Sequence, residues 1–201
     1  MLELRKIAVT GGLSAGKTSV CQILHSLGAH VISADAIVHR LLSPSSEIHD
    51  NVVTLLGRDI LDEQCINRTK VAKKVFHDPH LLHQLEELLH PAVQQEIEKE
   101  YQRIQQNNPP LLFVAEIPLL FESSSEDYFD DIVAVIASEE ISRVRFAMST
   151  SHGNEEFSAR ASRQLPAEVK AQRADFVIVN DGTFAALEEK VKALYETLVT
   201  M

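Results

Sequence analysis

An α/β fold, a five-stranded parallel sheet flanked by helices, is predicted by three observations. Five short apolar segments, Ile7–Thr10, His30–Ser33, Leu111–Ile117, Ile132–Ala137 and Phe176–Val179, read as strands. Stretches of helical periodicity alternate with them, and near-continuous apolar strands joined by helices belong to a parallel sheet covered on both faces. Third, a glycine-rich turn, Gly-Gly-Leu-Ser-Ala-Gly-Lys-Thr at Gly11 to Thr18, joins the first strand to the helix that follows. The 201 residues, 45% hydrophobic and 24% charged with only seven Gly and seven Pro, suit one compact α/β domain.

Each element has its own warrant. Lys6–Val9 leads into the turn, and Val20, Ile23, Leu24 and Leu27 recur at helical spacing behind it until Gly28 offers a C-cap. Between the second and third strands lie roughly seventy residues, far more than a crossover helix needs, which predicts a helical insertion forming a wall for a second substrate. Within it Leu81, Leu82, Leu85, Leu88, Leu89, Val93 and Ile97 form an amphipathic run. Pro91 is expected to kink or restart that helix, interrupting it at His90-Pro91, and Asn107-Asn108-Pro109-Pro110 to end it. Residues 146–166 carry a polar stretch, Ser149 to Asn154, between helical segments, which suits a mobile flap. The closing helix, Phe184–Leu198, repeats apolar residues at Leu187, Val191, Leu194 and Leu198 and packs on the sheet. The expected organisation is a single domain over 1–201: a core of 1–35, 109–142 and 174–201, a helical acceptor-binding insertion at about 36–108, and a lid at about 143–173.

The turn at Gly11–Thr18 fits the pattern G-x-x-x-x-G-K-[ST] in its strand–turn–helix setting, which makes the predicted architecture a P-loop nucleoside triphosphate hydrolase-type fold. Backbone N–H groups can turn inward around phosphate oxygens, Lys17 can reach the β and γ phosphates, and the Thr18 hydroxyl can hold Mg²⁺. Two carboxylates stand near strand ends on the same sheet edge. Glu116 is placed either to touch Mg²⁺ or its waters or to form a structural ion pair, because a lone charge on a buried strand is costly. Asp35 either accepts or orients a reacting hydroxyl or caps a helix over Ala36–Leu42.

The formal net charge of −10 argues against general affinity for nucleic acid or an anionic membrane. An anionic substrate then needs a local cation cluster, and Arg143, Arg145, Arg160, Arg163, Lys170 and Arg173 supply one, unless they only solvate a helical face. No apolar run is long enough to span a bilayer and residues 1–20 lack a secretory pattern, so a cytoplasmic protein is expected. Cys21 and Cys65 have no metal-ligand spacing and read as reduced thiols.

Further motifs recur in order: Leu27-Gly28-Ala29 leading to Ala34-Asp35, Leu56-Gly57 with Ile60-Leu61, Asn67-Arg68, Val75-Phe76, and His90-Pro91. They continue with Ile117-Pro118-Leu119-Leu120-Phe121-Glu122, Gln164, Ala174-Asp175 and Asn180-Asp181-Gly182. Together with Thr10 to Thr18 they resemble the dephospho-CoA kinase family, P-loop kinases that phosphorylate the ribose 3′-hydroxyl of dephospho-CoA in the last step of coenzyme A synthesis. The resemblance implies ATP and dephospho-CoA as substrates, ADP and CoA as products, Mg²⁺ as cofactor, and a monomer or weak homo-oligomer. It makes Asp35 the base, with Lys17 and Arg145 on the transferring phosphoryl group. Gly11, Gly12, Leu13, Ser14, Ala15, Gly16, Lys17, Thr18 and Ser19, with Asn180 and Gly182, would hold ATP. Arg68, His90, Pro118 and Leu119 would face the acceptor, and Thr18, Asp35 and Glu116 would serve Mg²⁺. His90 also reads as a capping or packing residue, and Asn180 to Gly182 as a plain turn. The chain departs from the family pattern twice, with Ser33 where an aspartate is usual and Ser149 where a second lid arginine is usual. The competing readings are another small-molecule P-loop kinase and a nucleotide-dependent switch, the latter without its usual N-K-x-D motif.

Overall fold

A computed structural model describes residues 4–44, 46–76, 78–106, 110–150 and 153–201. The chain divides into two compact units, residues 1–33 with 103–201 and residues 34–102.

The first unit is built on a five-stranded sheet of β1 (Arg5–Gly11), β2 (His30–Ser33), β5 (Leu112–Glu116), β6 (Asp131–Ile136) and β7 (Phe176–Val179). Its order is β2-β5-β1-β6-β7, and every pairing is parallel. The three central strands are buried along nearly their whole length, which is why they read as unbroken apolar runs. One face is covered by α1 (Lys17–Ser26) and α9 (Phe184–Thr200), whose Val20, Leu24, Leu187, Val191 and Leu198 pack against Ile7, Val9, Val114, Val133 and Val135. Burying each such side chain contributes about 1.5–3 kcal/mol. On the other face α8 (Ala167–Arg173) lies against β1 and β6, and α6 (Glu139–Ser149) and α7 (Asn154–Ala161) precede it. Helix α1 ends as expected: Gly28 takes φ 101°, and the Gly28 and Ala29 N–H groups donate back to the His25 and Leu24 carbonyls. β1 starts earlier than its apolar run predicted because Arg5 is held at its own end, by Asp131 and the Leu198 carbonyl.

The second unit contains α2 (Ala34–Leu41), α3 (Glu47–Leu56), a hairpin of β3 (Leu61–Asp62) and β4 (Cys65–Ile66), α4 (Arg68–Phe76) and most of α5 (Pro79–Gln105). Val52, Leu56, Ile60, Val71, Val75 and Leu85 form its core. Two expectations are corrected here. The segment is not wholly helical, since β3 and β4 pair antiparallel. Helix α5 is not interrupted at His90-Pro91 but runs through Pro91 for 27 residues. Proline deletes one backbone donor, and Leu85 and Ile97, buried on either side of it, hold the remaining ladder against that local loss. The expected stop at Asn107 to Pro109 and the flap residues Ser151 and His152 lie outside the described residues.

Candidate active site

β1 feeds directly into the glycine turn, and the backbone there leaves no choice of residue at two positions. Gly11 has φ 146°, and a Cβ on it would stand 1.9 Å from the carbonyl oxygen of Val135, its register partner on β6. Gly16 has φ 101°, and its Cβ would meet Asn180 Nδ2 at 2.3 Å. Between them Ser14 adopts φ 54°, so the chain turns through a left-handed residue before α1 begins. The opening N–H groups of α1 have no partners within the helix, and that is the arrangement that receives phosphate.

Lys17 is nearly buried, and its Nζ donates to the carbonyls of Gly12 at 2.9 Å and Gly11 at 3.3 Å, which holds the ammonium against the turn. The Thr18 hydroxyl donates to Glu116 Oε1 at 2.8 Å. Glu116 closes β5 at the carboxyl edge of the sheet, in register with Val9 on one side and Ser33 on the other. Ser33 therefore stands beside Glu116 in the sheet. Two hard oxygen donors at the head of the loop suit a magnesium ion that takes its other ligands from phosphate and water. Among the described residues no cluster of three or more His, Cys, Asp or Glu side chains offers a fuller protein cage. Cys21 lies one turn further along α1, where burial, reinforced by the Glu116 charge, pushes its thiol far above the usual range and keeps it inert.

The loop is braced from outside by two side chains. Asn180 Nδ2 donates to the Ala15 carbonyl at 2.8 Å, and Arg145 reaches the same carbonyl at 3.4 Å and Asn180 Oδ1 at 3.5 Å. The amide of Asn180 is thus occupied by protein partners. Neighbouring Asp181 accepts the Ser138 N–H at 2.7 Å, tying the β7 exit to the start of α6, and Gly182 is exposed.

Most cations of the cluster at residues 143–173 are paired with carboxylates rather than left open to a substrate, and the Arg143 and Arg160 pairs lie on partly exposed helical faces. Lys170 is fully buried and paired with Glu122, and Arg173 pairs with Glu126 while lying over Phe121. Arg143 pairs with Glu139 and lies over Phe157, and Arg160 pairs with Glu156. Among the described residues Arg145 bonds only neutral oxygens, which leaves its charge without a carboxylate partner there. Ser149, where a second lid arginine is usual, closes α6 and donates to the Phe146 carbonyl.

Pro118 and Leu119 follow β5, half-buried, and the Pro118 carbonyl accepts from Thr10 Oγ1 at 3.3 Å and Lys170 Nζ at 2.7 Å. In the second unit Asp35 is the second residue of α2, exposed and, among the described residues, without a side-chain hydrogen bond or ion pair. The helix starts at Ala34, one residue before it, so Asp35 is not the cap. Arg68 opens α4 and is exposed. His90 sits inside α5, where it caps nothing. Sequence reading missed the bracing by Asn180 and the burial of Lys170, because the partners of both are far away along the chain.

The dephospho-CoA kinase family model matches residues 5–186. The chain belongs to the dephospho-CoA kinase family. The dephospho-CoA kinase of Protochlamydia amoebophila is 48% identical over 199 residues, covering 98% of each chain, and that of Chlamydia pneumoniae is 43% identical over the same length and coverage. The solved dephospho-CoA kinase from Campylobacter jejuni shares 25% identity, with a TM-score of 0.71 and 97% of each chain covered. Like other dephospho-CoA kinases, this chain is an ATP-dependent kinase of the P-loop fold that makes CoA and ADP from dephospho-CoA and ATP.

Proposed function

We propose that this chain transfers the γ-phosphate of ATP with Lys17 and Arg145 as the cations on the moving group, Asp35 as the base on the acceptor's ribose 3′-hydroxyl, and Mg²⁺ held at Thr18 and Glu116. The observation that carries this reading is the joining of Lys17, Thr18, Glu116 and Arg145 around one glycine turn. Phosphoryl transfer spreads negative charge over the moving oxygens, so fixed cations at the loop matter more than covalent chemistry. Lys17 is held ready by carbonyls that it can release as phosphate oxygens replace them, and Arg145 brings a full charge without a competing carboxylate. When bound, Mg²⁺ neutralises phosphate charge. Asp35 is added by the family resemblance, and the absence of a side-chain partner for it among the described residues supports a role toward a ligand. Gly11 to Ser19 cradle the triphosphate, with Asn180 and Gly182 at the nucleotide end. Arg68, His90, Pro118 and Leu119 line the acceptor's path, within an insertion of about 36–108 and a core and lid divided near 143 and 173. The protein works in the cytoplasm as a monomer or weak homo-oligomer, and among the described residues no helix is long and apolar enough to cross a membrane.

The test is a coupled assay of ADP release with ATP and Mg²⁺, with dephospho-CoA or adenosine as acceptor. Turnover is expected with dephospho-CoA, and its absence overturns the reading. Lys17→Ala should weaken ATP binding by at least about tenfold and lower turnover as well, since one charge-assisted contact to phosphate is lost. Glu116→Gln removes a negative donor next to Thr18, so the Mg²⁺ concentration for half-maximal turnover should rise about 10- to 100-fold. An unchanged Mg²⁺ titration would return Glu116 to a purely structural role.

A further inference from the structure

The loop after β5 and helix α8 are joined by two acid–base pairs, Glu122 with Lys170 and Glu126 with Arg173. The first is far more buried. Lys170 has no exposure at all, its Nζ lies 2.9 Å from Glu122 Oε1 and 2.7 Å from the Pro118 carbonyl, and burial holds its ammonium below the usual lysine range even with Glu122 alongside. Glu122 Oε1 also accepts the backbone N–H of Leu165 at 2.7 Å, so one oxygen binds both the middle of α8 and the connection leading into it. Pro118, the other acceptor of Lys170, receives the Thr10 hydroxyl, and Thr10 immediately precedes Gly11.

That connection has a functional position. Gln164, Leu165, Pro166 and Ala167 line a cavity of about 370 Å³ together with Gly12 and Leu13 of the phosphate loop, Ala167 lying beside Gly12. Gln164 Oε1 is buried, with no hydrogen-bond partner among the described residues. Ala167 stands beside Gly12, and the residues before it are tied down through side chains: the Leu165 N–H is held by Glu122, and Glu122 by Lys170. A largely buried ion pair, its Lys170 side enclosed and its Glu122 side only slightly exposed, is a poor way to gain stability, because desolvating the charges costs about as much as their attraction returns. What it supplies is a fixed distance.

We infer that Glu122, clamped by Lys170, is a positioning residue for the phosphoryl transfer: it sets the wall formed by Gln164 to Ala167 against Gly12 and Leu13, where the proposed reaction brings the γ-phosphate and the acceptor together. This rests on the reading of the site given above. Glu122 touches neither substrate and acts through Leu165 and Pro118. Geometry, not charge, is what it contributes.

Two substitutions separate those terms. Glu122→Gln discards the charge and keeps an oxygen at the same reach for the Leu165 N–H and Lys170. Glu122→Asp keeps the charge and withdraws it by one methylene. Both are assayed with ATP, Mg²⁺ and dephospho-CoA at a temperature where thermal melts show them folded, with the wild type as control and ATP affinity measured separately by calorimetry. The expected result is kcat within about threefold of wild type for Glu122→Gln and a loss of at least about tenfold for Glu122→Asp, the ATP Kd staying within about twofold in both. Wild-type kcat in folded Glu122→Asp, or the reverse ranking of the two variants, overturns the inference. Where Glu122→Asp does not fold, Lys170→Met with Glu122→Leu replaces the pair by apolar groups and preserves folding, and wild-type kcat in that double variant overturns it equally. A wild-type enzyme inactive on dephospho-CoA would instead sink the reading of the site, and the control alone reveals that.

Discussion

Asp35→Asn is expected to bind ATP as the wild type does and to turn over about 10² to 10⁴ times more slowly, the range by which a positioned general base accelerates a reaction. Asparagine has nearly the size and shape of aspartate but cannot accept the proton of the attacking hydroxyl. The structure makes this a clean substitution: Asp35 is exposed, has no side-chain hydrogen bond or ion pair among the described residues to lose, and does not cap α2. Stability should therefore change by no more than about 0.5 kcal/mol, as for other surface positions. Steady-state kinetics with saturating dephospho-CoA, beside calorimetric titration with ATP, makes the comparison. A kcat within about threefold of wild type would remove Asp35 from the chemistry.

Gly11→Ala has the largest expected effect on the fold. Its Cβ would lie 1.9 Å from a backbone carbonyl oxygen, and that oxygen belongs to β6 in the middle of the sheet, where no side chain can swing aside. The φ of 146° adds strain that an L side chain does not relieve. Accommodating a methyl there means separating β1 from β6 at the mouth of the loop. A destabilisation of at least about 4 kcal/mol is expected, in the range reserved for broken backbone geometry. Gly12→Ala is the matched control, since its Cβ would meet nothing closer than 3.9 Å and should cost no more than about 1 kcal/mol. Urea denaturation of both variants checks the contrast. Equal midpoints would mean that the clash at Gly11 is absorbed in a way the sheet register does not suggest.

The parts that could be read beforehand are those whose physics is local. The glycine turn announces itself because each of its residues answers to a phosphate or to a backbone angle within eight positions. The central strands were legible because burial on both faces removes polar residues from every position of Leu112–Ala115 and Ile132–Val135. The interruption expected at His90-Pro91 fails on the same local logic: one missing donor counts for little in a helix of 27 residues, where packing outweighs it. The partners of Lys170 and Asn180 are illegible for the opposite reason. Lys170 meets Pro118 across 52 residues of sequence, and Asn180 meets Ala15 across 165. No periodicity reports such partners.

The rims of the five-stranded sheet carry a consequence for handling this protein. Both outermost strands, β2 and β7, are four residues long, and the last carbonyl of β7, on Val179, is already taken by the Lys190 ammonium at 2.7 Å. Each rim thus offers only a short ladder to a strand from another molecule, and one of them is capped by a charge that repels stacking. The apolar strands at the centre, which would be the most adhesive segments of the chain if they stood at a border, are enclosed by neighbours that are themselves poor templates for fibril growth.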